Sequence, residues 1–217
     1  LEVKAIEVLS DQRVGQGGVL VLRRMRLRLL RRDGSQTKEG TWDYVERAMG
    51  LDAVVVALWR RRGAVEVLLR WGIRVPLQFG RPDPPSGLLF PELVAGILEA
   101  GEESEEALRK RAADEAMEEA GLRLSPASVE RLGPPLFPTP GMCAEQFHFV
   151  SCEVGDGAAA VPQGDGSPFE EGARLEWVEL DEALRRCARG EIQDLKTELA
   201  LRRLQQKLGE VSEDIHR

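Results

Sequence analysis

Between Ser104 and Gly121 the chain spells a helix with two different sides. Ser104 suits the N-cap, Glu105 and Glu106 fall in the first turn where the helix dipole favours acids, and Gly121 suits the C′ stop. One side carries Leu108, Ala112, Ala113, Ala116 and Ala120, small and apolar, fit for close packing on a sheet. The other crowds Asp114, Glu115, Glu118 and Glu119 into six positions. Glu115 and Glu119 are four apart, about 40° from each other around the axis, and Glu118 flanks the same face. Like charges at that spacing repel by about 0.2–0.5 kcal/mol each. Converging carboxylates suit a hard divalent cation; Mg2+ takes one or two of them together with substrate phosphates and water. Taken alone, such a run more often means a solvated acidic face.

The helix stands among strands. "VKAIEVL" is a short strand, and "VLVLRRMRLRLLRR" alternates Met25, Leu27 and Leu29 against Arg24, Arg26 and Arg28. "RDGSQ" turns the chain into a third run, "TWDYVERA". "LDAVVVALW" is a continuous apolar strand that pairs across "RRRG" with "AVEVLLRW", and "IRVPLQF" continues the β character. "GRPDPPSG" is a loop by composition. After the helix come a strand near 129–133, the loop "GPPLFPTPGM" and the strand "EQFHFVSCEV". "GDGAAAVPQGDGSP" reads as a low-complexity mobile loop and "ARLEWVEL" as a strand. "DEALRRCARG" reads as a helix capped by Asp181 and stopped by Gly190, and "LKTELALRRLQQKL" as a longer amphipathic helix. No internal repeat is evident. The class is α/β (α+β).

The arginine face of the second strand invites a phosphate or nucleic-acid reading. A net charge of −7 argues instead for a solvated face and against nucleic acid as a partner. Three cysteines without a C-x-x-C pair argue against a disulfide framework and make a reducing, cytoplasmic setting the expectation. "LEVKAIEVLS" lacks the form of a signal peptide, and no apolar run approaches the roughly 20 residues of a membrane span, so no membrane partner is expected. The cysteines read as small buried residues. His148, alternating with Phe147 and Phe149, reads as structural.

Upstream of the acidic helix stands "AGILEAGE": Gly96, five residues, Glu102. Together with "EAMEEAGL" this resembles the Nudix hydrolase signature: Gly, five residues, Glu, seven residues, Arg-Glu-apolar-x-Glu-Glu-x-Gly-apolar. Gly96, Glu102, Glu115, Ala116, Glu118, Glu119, Gly121 and Leu122 take its positions. The resemblance implies an α/β/α sandwich on a mixed sheet and hydrolysis of a nucleoside diphosphate linked to another group. Two departures stand out. Glu102 and Glu115 are thirteen apart, where the family has nine; four extra residues are about one helical turn, roughly 6 Å, which keeps the face in phase. The family's arginine is Asp114 here, and Arg111, four residues before Glu115, is the candidate substitute.

"ELVAG" before the box, "FPTPG" after it and the N-terminal β segment resemble the ADP-ribose and nucleotide-sugar pyrophosphatases. Pro138, sixteen past Leu122, matches a proline associated with ADP-ribose use. The resemblance divides the chain into an N-terminal β segment, 1–48, serving dimerisation, and a Nudix domain, 49–217. It implies Mg2+, with Mn2+ as a substitute, held by the Ala95 carbonyl, Glu115, Glu118, Glu119 and Glu171. It places Arg74 of "GIRVPLQ", Glu145 and Arg111 at the substrate. Glu115, Glu118 and Glu119 join Glu170 or Glu171 in catalysis, one of the last two as a metal ligand or general base. A base on a loop can reach the attacking water while closure excludes solvent. Trp42 and Tyr44 lie in the segment that swaps between subunits in this branch and read as core or dimer contacts. The implied activity is Mg2+-dependent hydrolysis of ADP-ribose or a related nucleoside diphosphate sugar by a cytoplasmic homodimer, giving a nucleoside monophosphate and a sugar phosphate. The alternatives are a GDP-mannose or UDP-glucose pyrophosphatase, or a non-catalytic nucleotide-binding protein on the same fold.

Overall fold

The computed structural model describes residues 3–15, 19–47, 50–83, 85, 87–155, 160–162, 164 and 172–215. Three long antiparallel strands open the chain: β1 (Val3–Val14), β2 (Leu20–Arg31) and β3 (Gly40–Arg47), in that order across their own sheet. A second sheet follows, built on β4 (Ala53–Arg62) and β5 (Ala64–Ile73), joined by a hairpin whose Gly63 has φ +76°. The short β6 (Leu89–Glu92) pairs with β5 and β7 (Val94–Ile97) with β4. β8 (Glu130–Arg131), β9 (Phe147–Glu153) and β10 (Arg174–Glu179) complete the order β10-β5-β4-β9-β8. β4 and β9 run parallel and the other pairs antiparallel, so the sheet is mixed.

The alternation of β4 explains the layers. Val54, Val56 and Leu58 pack with Leu68 and Val150 beneath α2 (Glu105–Ala120), against Leu108, Ala112, Ala116 and Ala120. Val55, Ala57 and Trp59 face the other way, into α3 (Leu180–Ala188) and α4 (Leu195–Ile215), meeting Ala183, Ala200, Leu201 and Leu204. A strand buried on both faces reads as a continuous apolar run. The result is the expected α/β/α sandwich on a mixed sheet. The apolar side of α2 is narrow and mostly alanine, which brings its backbone close to the strands that carry the site.

The caps of α2 are as expected. Ser104 accepts a hydrogen bond from the Ala107 N–H, and Gly121 stops the helix at φ 65°. Two local expectations are corrected. "VPLQF" is not strand but a short helix, α1 (Val75–Phe79), because Pro76 suits a first helical turn and cannot donate to a sheet ladder. Asp181 is not the cap of α3; it lies in the first turn, where it meets the helix dipole, and Glu179 precedes the helix without a side-chain cap bond. The arginine face of β2 is an ion-paired surface: Arg24 bonds Asp43, Arg26 bonds Glu39 and Arg28 bonds Glu7. His148 is structural, set between Arg131 at 3.0 Å and Asp52 at 3.3 Å. No helix among the described residues is long and apolar enough to cross a membrane.

Candidate active site

Antiparallel pairing sets β7 beside β4, with Val55 opposite Ala95 and Val54 opposite Gly96. α2 lies over this strand and lowers two carboxylates onto it. Glu115 is nearly buried against Gly96, where a Cβ would stand 1.7 Å from Glu115 Oε1 and 1.9 Å from its Cδ and would displace that carboxylate. One turn on, Glu119 Oε2 accepts a hydrogen bond from the Ala95 N–H at 3.2 Å. In a strand the N–H and C=O of one residue point to the same side, so the Ala95 carbonyl shares the edge that faces Glu119. Glu118, between them in sequence, is half-buried, and its own carbonyl accepts from the Gly164 N–H at 3.0 Å.

Arginines surround these glutamates. Arg70 rises from the middle of β5, 7% exposed, with Nε 3.4 Å from Glu119 Oε1. Gly72 makes room for it, since a Cβ there would lie 2.6 Å from Arg70 Nη1. Burial nonetheless pushes the Glu119 carboxyl up to about 7, against the pull of Arg70 and the Ala95 N–H. Arg111 grips Glu102 through Nε at 3.0 Å and Nη2 at 3.1 Å, reaches Glu99 at 3.3 Å, and holds Nη1 4.0 Å from Glu115 Oε1. Burial alone would raise Glu102; the Arg111 guanidinium and the Glu99 N–H outweigh it, and its pKa falls. Asp114, where the family signature has arginine, bonds Lys110 at 2.6 Å on the exposed side of the helix. Helical spacing thus puts Asp114 beside Lys110 toward solvent and Arg111 on the face that carries Glu115.

Arg74, the residue before α1, stands half-exposed beside the buried Glu92. Glu145 is nearly buried and ion-paired to Arg47 of β3 at 2.6 Å. Nearby the Val45 N–H donates to the Met142 carbonyl, so the first sheet is stitched to the loop that carries Glu145. Glu170 and Glu171, and most of the loop expected to be mobile, lie outside the described residues. Sequence reasoning passed over Arg70, Arg47, Glu92 and Lys196. Only Arg70 had a visible signal, as a charge inside the apolar run "VEVLLRW".

Among the described residues no three His, Cys, Asp or Glu side chains stand close enough together to hold a metal ion unaided. The donors nonetheless fit a hard divalent cation. Glu115, Glu119 and the Ala95 carbonyl offer oxygen alone, and Glu119 is a deeply set carboxylate whose charge Arg70 does not fully compensate.

The comparisons bear on the family and the fold. Residues 49–199 match the model of the NUDIX domain. Over 200 residues the chain is 32% identical to a GDP-mannose pyrophosphatase of Cronobacter sakazakii (strain ATCC BAA-894), spanning 92% of this chain and 95% of that protein. A crystal structure of an ADP compounds hydrolase superposes with a TM-score of 0.67, spanning 96% of this chain and 97% of its own. At 13% identity that likeness is one of fold.

Proposed function

The chain belongs to the Nudix family of hydrolases, and on that footing we propose that it cleaves the diphosphate of a nucleoside diphosphate sugar to a nucleoside monophosphate and a sugar phosphate. The observation that carries this is the pair Glu115 and Glu119, set down on Ala95 and Gly96 by the small apolar side of α2. The reaction is substitution at phosphorus: a bond from water oxygen to phosphorus forms, the anhydride P–O bond breaks, and the leaving phosphate takes the electron pair. A bound divalent cation, Mg2+ or Mn2+ in its place, would neutralise diphosphate charge and acidify the attacking water. Glu115, Glu119, Glu118 and the Ala95 carbonyl would hold it. Arg74 binds a phosphate, because a guanidinium meets two phosphate oxygens at once. Arg111 fixes Glu102 and faces Glu115. Glu145, pinned by Arg47, lines the substrate arm. Glu170 or Glu171 takes the proton from water.

Two sugars compete. The 32% identical relative favours GDP-mannose, and Pro138 favours ADP-ribose. A panel of GDP-mannose, ADP-ribose and UDP-glucose with Mg2+ decides between them. Release of GMP or AMP with the matching sugar phosphate is the expected result. No turnover of any member, with or without Mn2+, rejects the reading.

The first sheet suits a homodimer. Ile6, Val8 and Trp42 are 61%, 53% and 56% exposed, and register sets Ile6 opposite Leu29, Val8 opposite Leu27 and Trp42 opposite Met25. One face of β1–β3 is thus apolar and uncovered in a single chain, and a second copy supplies the missing cover. Light scattering is expected to give twice the mass of one chain, dropping to one with Val8→Asp. A wild-type monomer at micromolar concentration rules the dimer out. The unit boundary proposed at 48/49 falls on residues outside those described.

A further inference from the structure

The start of α4 carries a polar cluster that the chemistry above does not use. Glu92, the last residue of β6, is 1% exposed, and its Oε2 accepts a hydrogen bond from Lys196 Nζ at 2.6 Å. Lys196 also donates to Asp194 Oδ2 at 2.8 Å. The same Asp194 oxygen accepts from the Thr197 N–H at 3.1 Å and from its hydroxyl at 2.6 Å. Thr197 Oγ1 in turn accepts from the Leu93 N–H at 2.8 Å. The first turn of α4 is therefore bonded to the two residues that lead into Val94, Ala95 and Gly96.

The two cations on Glu92 are held differently. A carboxylate this deep is strongly unfavourable unless paired. Lys196 is 11% exposed and hydrogen-bonded on two sides. Arg74 is 47% exposed, and its Nη2 stands 2.5 Å from Glu92 Oε1, yet that oxygen makes no hydrogen bond. Arg74 is held there by charge, and its half-exposed guanidinium is also open to solvent. Glu92 leads into β7, whose Ala95 N–H bonds Glu119, and both Glu92 and Arg74 act on Glu119 through charge.

We propose that Lys196 and Glu92 form a positioning pair that aims Arg74 at the diphosphate of the substrate. Lys196 holds one oxygen of Glu92 and so fixes the carboxylate whose other oxygen seats Arg74. Without Lys196, the Glu92 carboxylate is free to turn and carries Arg74 away from the diphosphate. Without the Glu92 charge, Arg74 has nothing to aim it. The inference rests on the nucleoside diphosphate sugar reading above.

A double-mutant cycle tests it, with steady-state kinetics on the preferred member of the substrate panel and thermal melting of each variant. Lys196→Met and Arg74→Ala are each expected to raise KM about 10-fold, the worth of one charge-assisted hydrogen bond, with kcat within about threefold. Lys196→Met/Arg74→Ala should be no worse than Arg74→Ala alone, and Lys196→Arg should restore KM to within about threefold. Additive losses, or an unchanged KM with a lowered melting temperature, make Lys196 a helix anchor only and overturn the proposal. Should Lys196→Met fail to fold, Glu92→Gln/Lys196→Met removes both charges together, and a wild-type KM there overturns it equally. A wild type that turns over no nucleoside diphosphate sugar removes the function and this inference with it. An active wild type with additive losses removes this inference alone.

Discussion

Glu119→Gln lowers turnover by about a thousandfold while leaving the metal-free protein at least as stable as wild type at pH 8. The first half follows from the place of Glu119 at the Ala95 edge, where losing one charge aimed at the reaction has an effect of about that size. The second half follows from burial. The Glu119 carboxyl is raised from 4.5 to about 7 in the folded chain. The folded state then binds this proton more tightly than the unfolded state, so stability falls as pH rises from about 4.5 through about 7. Above that range the ionised group costs up to about 3 kcal/mol, which glutamine does not incur. For a domain of this size that is several degrees in melting temperature. Mg2+ should reverse the order, raising the melting temperature of wild type and not of the variant. Two results would count against this: equal turnover, which removes Glu119 from the catalytic groups, or a variant less stable than wild type at pH 8.

Arg111→Ala is the second large effect. Its guanidinium holds Glu102 through two bonds and stands 4.0 Å from Glu115, so its loss frees both carboxylates at once. Misplacing a group of this kind by about 1 Å costs about 100-fold in kcat. If Arg111 positions Glu115, kcat falls by that amount and KM stays within about threefold. If it contacts the substrate, KM rises instead. Unchanged turnover would mean that nothing on this helix replaces the arginine of the family signature. Arg111→Lys should recover part of the rate, since it keeps the charge and loses the two-pronged grip.

Much of the sandwich could be read from residues alone, because its signals are local. Ser104, Gly121 and the alanine side of α2 state a capped helix on a sheet, and "AVVVALW" states a strand covered on both faces. α1 differs from the expected strand because an apolar run of five gives no period, and only Pro76 hints at the turn. Glu115, Glu119 and Gly96 could be located because helical spacing brings the first two together and the box places the third. Arg47, Glu92 and Lys196 could not. Their partners lie 98 or 104 residues away, and only folding shows that Arg47 meets Glu145 or that Lys196 meets Glu92. The departure at Asp114 was visible, but only folding shows that Asp114 pairs with Lys110 and that Arg111 reaches toward Glu115.

The parallel pairing of β4 with β9 also sets how the molecule is assembled. Ala53 meets Phe147 across the ladder, and β6, β7 and α2 all lie in the span between them. A chain emerging from the ribosome cannot close its central sheet until Glu153 is free, and such distant pairings form slowly. Until then β7 and α2 can meet β4 only on a sheet that lacks its central neighbour β9. The binding edge therefore gains its full support only when the core is closed. A nascent or truncated chain ending before β9 should be captured by chaperones and should show no affinity for nucleotide, and substrate should protect only the finished fold.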